Sequence, residues 1–229
     1  MSDGWNARPG RRVVFWRHGR TEWNLVNRFQ GATDVPLDAV GVSQATAAAP
    51  ALARMRPSAI VASDLSRAAD TAAVLGALTG LAVATDQRLR ETDGGAWQGR
   101  TRAQILETDR DTFLSWVAGH DVRPPGGEVR SEVVSRVMAS VHEHLAGVPE
   151  GGSLVVVSHG GAIRGAIGGL LGLAPEQWTA LGVISNCAWS VLSELRLPAE
   201  PGGDQVTRWR LEEYNATSTP EPALGADDA

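Results

Sequence analysis

"VVFWRHGRTEWN", residues 13–24, carries an apolar run straight into a cluster of charge. Val13, Val14, Phe15 and Trp16 are four β-prone residues in a row, which predicts a strand buried on both faces. The change at Arg17 marks the strand's exit into a loop. In open α/β sheets, the loops at the carboxyl ends of strands are where ligands sit. A lone Arg-His pair can also be a solvated turn, so its meaning depends on what the rest of the chain supplies.

The length of 229 residues and a hydrophobic content of 43% suit one domain with a packed core. No stretch is as long and apolar as a membrane span, and residues 1–12 are polar, without the apolar core of a signal peptide. A cytoplasmic protein with no membrane partner is expected. The single Cys187 can form no internal disulfide and supports no metal site. With a net charge of −5, the molecule lacks the field that gathers nucleic acid, so any anion must be caught locally. All 21 basic residues are arginines. Abundant Ala and Gly give that bias a bland origin in GC-rich coding, yet the planar guanidinium fork suits bidentate capture of phosphate oxygens.

Apolar runs predict strands over 13–16, 59–62, 81–84, 154–158, 188–195 and 206–211. Helical patterns lie over 43–55, 66–78, 102–117, 131–145 and 162–171, the first with Pro50 inside, which should kink or break it. Strands alternating with helices predict an α/β fold: three layers, α/β/α, around a mostly parallel open sheet. The last two strands have only the turn-rich "LPAEPGGD" between them and should pair as an antiparallel edge. We expect a flexible segment over 1–11, a single domain over 12–215 and a disordered tail over 216–229.

Three further stretches repeat the logic of the first. "GGSLVVVSHGG", residues 151–161, is a turn, a buried strand and then His159, with Gly160 and Gly161 opening a helix whose N-terminus favours an anion. "IVASDLSRAADTAAVL", residues 60–75, puts Arg67 in the first turn of a helix of small residues, with Ser63 or Asp64 as its cap. "LRETDGGAWQG", residues 89–99, places Glu91 before a Gly-rich bend, where it could also be a partner for Arg88 or Arg90. His142 and His144 in "VHEH" are two apart on the helix predicted over 131–145, face different directions and cannot chelate together.

"RHG" at 17–19, Asn24, "SDLSRAADTA" at 63–72, "LRET" and "WQG" within 89–99, and "SHGG" at 158–161, in this order, resemble the histidine phosphatase superfamily, the phosphoglycerate mutase-like proteins. The resemblance covers residues 12–195. It implies that His18 attacks phosphorus and becomes phosphohistidine, a reaction within reach of a neutral imidazole. It further implies that Arg17, Arg67 and His159 surround the phosphoryl oxygens, aided by Asn24, Gln30 and the backbone at Gly160. Glu91 would protonate the leaving oxygen, its protonated form favoured beside a phosphate anion. The scheme calls for no metal and no cofactor, since Arg and His donors take the place of magnesium. Family members of this kind imply a homodimer.

The branch is read from the loop after the acid. Mutases of this family carry a longer insert and Tyr, Lys and Arg residues there that exclude water. "ETDGGAWQGRT" is short and free of lysine, which favours hydrolysis of a small phosphate ester. Residues 89–105 and 208–217 resemble the actinobacterial glucosyl-3-phosphoglycerate phosphatases within this branch. Arg20 departs from the usual Glu or Gln after RHG and could read a second anion such as a carboxylate. Trp23 and Trp97 could wall a sugar-binding mouth. The competing readings are a broad-specificity or phosphotyrosine phosphatase, a mutase, and a binding module without catalysis.

Overall fold

The run at 13–16 becomes the middle of β1 (Arg12–Arg17), and burial on both of its faces follows from its place inside the sheet. The computed structural model describes residues 10–197 and 206–218. With β2 (Ala59–Ala62), β3 (Val83–Thr85), β4 (Ser153–Ser158), β5 (Trp189–Leu197) and β6 (Val206–Ala216), β1 forms one sheet of order β3-β2-β4-β1-β5-β6. The first four in that order are mutually parallel; β5 runs antiparallel to β1, and β6 antiparallel to β5. This is the expected parallel sheet with an antiparallel edge.

Period-2 alternation sorts each inner strand between two cores. Val13, Phe15, Leu154 and Val156 pack with α6 (Arg130–Ala146) and α7 (Gly160–Leu170) on one face. Val14, Trp16, Val155 and Val157 pack with α2 (Ala39–Arg54) and α3 (Ser66–Thr79) on the other. The remaining helices, α1 (Glu22–Leu25), α4 (Arg102–Thr108) and α5 (Arg110–Val117), lie in the connections beyond the carboxyl ends of the parallel strands.

Five expectations need correction. Helix α2 begins before residue 43 because Asp38 caps it, accepting from the Gly41 N–H at 2.7 Å. It also runs unbroken through Pro50, which faces solvent, so the one carbonyl deprived of a donor can turn to water. The helix expected over 102–117 is two helices, broken at Asp109, whose carboxylate instead accepts from the Trp97 indole N–H at 2.9 Å. Strand β6 continues to Ala216, so that residue belongs to the sheet. Of the segment expected to be flexible at the N-terminus, Arg11 is pinned to Glu194 at 2.6 Å. Residues 1–9, 219–229 and most of the turn "LPAEPGGD" lie outside the described residues.

Candidate active site

Strand register brings the two histidines together. β1 and β4 pair in parallel with Arg17 opposite Ser158, so the next residues, His18 and His159, leave the sheet side by side. Their rings stand 5.1 Å apart, centroid to centroid. The His18 N–H donates to the Ser158 carbonyl at 3.0 Å, and the His18 carbonyl accepts from Cys187 N–H at 3.1 Å and from Asn186 Nδ2 at 3.1 Å. Gly19 is required next. A Cβ there would lie 2.4 Å from the Gly41 carbonyl oxygen, so the close approach of the loop to α2 excludes any side chain.

His18 is 2% exposed. Burial, and after it the charges of Arg67 and Arg17, hold its pKa well below the ordinary value, so the imidazole is neutral. Its Nδ1 lies 2.7 Å from the Gly19 carbonyl oxygen, which can only accept. The ring proton therefore sits on Nδ1, and Nε2 presents a lone pair. A neutral, oriented imidazole is what nucleophilic attack needs.

Arg67 projects from the first turn of α3 and is fully buried. Its NH1 and NH2 groups donate to the Thr33 and Gly31 carbonyls, both at 2.8 Å, and its Nε–H donates to His159 Nδ1 at 3.2 Å. Burial lowers its pKa to about 10, which leaves it charged at neutral pH. With Nδ1 accepting, His159 carries its proton on Nε2, which donates to Ser63 Oγ at 2.9 Å. Burial first, then Arg67, keep this ring neutral too. Both of its nitrogens are thus engaged, one by Arg67 and one by Ser63, and His159 would have to give up the Ser63 bond to donate to a phosphoryl oxygen. The α3 cap differs from expectation: Ser66 donates through N–H and Oγ to Asp34, at 2.8 and 2.7 Å, while Asp64 pairs with Arg90.

Glu91 lines the same cleft as His18 and Arg67. Its carboxyl accepts from the N–H groups of Thr92 at 2.8 Å, Gly161 at 2.8 Å and Ala162 at 3.0 Å, and so is clamped against the N-terminus of α7. A Cβ on Gly161 would come within 2.7 Å of Glu91 Oε1, which accounts for the second glycine of "SHGG". The Glu91 backbone is fixed by a residue that the sequence reading missed: Arg136 of α6 donates to the carbonyls of Arg88, Arg90 and Glu91 at 2.7 to 2.8 Å. Glu91 is paired with neither Arg88 nor Arg90, which bind Asp86 and Asp64.

Arg17, His18, Asn24, Gln30, Arg67, Glu91 and Gly160 all line one cleft. Asn24 and Gln30 are braced by Thr21, which closes a capping box with Asn24 and donates to Gln30 Oε1 at 3.0 Å. Arg20 is not among the lining residues. Its guanidinium turns back to Asp38 at 2.8 Å. Trp97 is 1% exposed and belongs to an aromatic core with Phe113, while Trp23 packs over Gly99. The aromatic wall is made instead by Phe29, Phe113 and Trp116. Arg28, Arg102 and Arg164 also line it; as single arginines without a motif around them they gave no signal in the sequence. His142 and His144 stay apart: His142 is exposed, and His144 Nδ1 donates to the Ser140 carbonyl at 2.9 Å.

Residues 13–210 match the model of the histidine phosphatase superfamily (branch 1), and the chain belongs to that family. It is 43% identical over 216 residues to the glucosyl-3-phosphoglycerate phosphatase of Mycobacterium tuberculosis, an alignment covering 91% of this chain and 96% of the relative. A solved mycobacterial glucosyl-3-phosphoglycerate phosphatase, in complex with VO3, superposes with a TM-score of 0.83 at 42% identity, over 91% of this chain and all of that one. A probable phosphoglycerate mutase GpmB of Proteus mirabilis is 37% identical over 179 residues, covering 78% of this chain and 82% of the relative.

Proposed function

We propose that this chain hydrolyses phosphoric monoesters through a phosphohistidine at His18, and that its substrate is glucosyl-3-phosphoglycerate. The observation that carries the reading is the neutral His18, its Nδ1 proton committed to the Gly19 carbonyl and its Nε2 turned to a cleft that Arg17 and Arg67 line. The substrate is taken from the relatives that share more than nine-tenths of their length with this chain.

In the first step Nε2 of His18 attacks phosphorus in line, the P–N bond forms and the P–O bond to the alcohol breaks. Glu91 gives its proton to the departing oxygen, as a carboxyl in contact with phosphate can. Arg17, Arg67 and the Gly160 N–H face the equatorial oxygens, where charge is stabilised in the transition state. Water then gives a proton to Glu91 and attacks phosphorus. The P–N bond breaks, and inorganic phosphate leaves with His18 restored.

Single-turnover reaction with glucosyl-3-phosphoglycerate, quenched in base, should trap an acid-labile phosphoryl group on wild-type protein and none on His18→Asn. Release of inorganic phosphate separates hydrolysis from the mutase reading that the GpmB relative raises, in which phosphate would return to the organic acid. A wild type that releases no more phosphate than His18→Asn overturns the proposal. The proposal also places the enzyme in the cytoplasm as a homodimer, in keeping with its lone cysteine and its family; sedimentation equilibrium tests the assembly. No helix among the described residues is long and apolar enough to cross a membrane.

A further inference from the structure

The cleft carries more positive charge than a phosphate monoester calls for. Beyond Arg17 and Arg67 it is lined by Arg28, Arg102 and Arg164, and Glu91 is the only acid among its described lining residues. The three outer arginines are not equivalent. Arg28 is held by a hydrogen bond to the Gly99 carbonyl. Arg102 stands exposed on the first turn of α4. Arg164 is half-buried, and its side chain has neither a hydrogen bond nor an ion pair among the described residues. A second cation is near it: Arg130, stacked 4.0 Å over the Trp116 ring, has its pKa lowered to about 10 by burial and then by the charge of Arg164. Arg164, Arg130 and Trp116 together line a smaller side cavity that opens next to the main cleft. A guanidinium partly withdrawn from water beside another cation is a costly arrangement unless an anion joins it.

Its position says which anion. Arg164 lies four residues past Gly160 on α7, hence on the same helix face, one turn or roughly 6 Å along the axis. That spacing suits an ester whose carboxylate stands two carbons from the phosphorylated one. The carboxylate also matches the flat guanidinium fork, which can hold both oxygens. We propose that Arg164 is a specificity-determining residue that binds a carboxylate on the alcohol part of the substrate, a role the sequence had suggested for Arg20. The inference rests on the phosphatase reading above and sharpens it, because it demands an acidic leaving group.

The test compares kcat/KM for a carboxylated ester, glucosyl-3-phosphoglycerate, with that for an uncarboxylated one, glycerol 3-phosphate, in wild type, Arg164→Gln, Arg164→Lys and Arg20→Gln. Losing a hydrogen-bonded charge partner costs on the order of ten- to a hundredfold. Arg164→Gln should therefore lose that much more on the carboxylated ester than on the other, chiefly through KM. Arg164→Lys should recover part of the loss, and Arg20→Gln should show no such preference. Equal losses on both esters in Arg164→Gln, with no recovery in Arg164→Lys, overturn the inference and leave the phosphatase reading standing. A wild type inert toward both esters overturns both.

Discussion

At the floor of the cleft, Arg17, His18 and Arg67, with His159 behind them against Arg67, are at most 6% exposed, and each hangs from a strand end or a first helical turn. At its rim, Arg28, Phe29, Arg102 and Trp116 come from the connections at 22–31 and 92–119, and Arg102 stands exposed. The floor is fixed by sheet register and by hydrogen bonds to backbone carbonyls. The rim hangs on short helices and loops whose side chains can change without disturbing the sheet. These rim residues are thus mechanically separate from the floor, and a family can keep the floor while varying them; Arg164, on α7, bridges the two.

The contrast can be broken at several points. The largest effect is expected for His18→Asn: kcat should fall by roughly 10⁴-fold or more, as when a nucleophile is removed, for every ester tested. If turnover survives on any ester, the floor is not the universal part. Arg67→Gln should cost about 3 kcal/mol of barrier, or about a hundredfold in kcat, again without regard to the alcohol. A loss confined to one substrate would move Arg67 to the rim.

Two buried neutral histidines also make a thermodynamic signature of the floor. The folded-state pKa values of His18 and His159 lie well below 6.5, so the unfolded chain takes up protons that the folded one refuses. Their contribution to stability is full above pH 6.5 and is lost as pH falls below it. Between pH 7.5 and 5.5, about 1.4 kcal/mol should be lost per histidine, close to 3 kcal/mol for the pair. Urea denaturation of wild type against His159→Gln reads this, and identical pH slopes would show that His159 is not held neutral.

Smaller effects sharpen the boundary. Gly161→Ala should push Glu91 from its clamp and lower kcat about tenfold, with KM changing much less. Were KM to carry the whole effect, Glu91 would be a binding group and not the acid. Asp34→Ala removes the remote cap of α3 and should cost about 1 kcal/mol in thermal unfolding, with a modest loss of kcat through Arg67. No change in either would mean that the helix start is held by Arg67 itself.

The floor was legible because each of its residues follows a signal that physics makes local. An apolar run ends at His18, another ends at His159, and a helix of small residues opens at Arg67. The rim gave no such signal. Trp97 and Trp116 look alike in a string of letters, and only the break at Asp109 decides which indole is buried in the aromatic core and which faces the cleft. Arg20 read as an anion receptor from its place beside RHG, but Asp38, eighteen residues on, claims it. Arg136 acts on Glu91 from a helix 45 residues away through backbone carbonyls alone, a relation that side-chain type cannot announce.

Because adjacent side chains along a strand point to opposite faces, a slip of β4 by a single place against β1 would turn the His159 ring away from His18 and swap the residues that β4 contributes to the two cores. Misaligned folding of this chain would therefore leave both cores mispacked and the site inert. The valines that bury the middle of the sheet are also the guardians of its catalytic alignment.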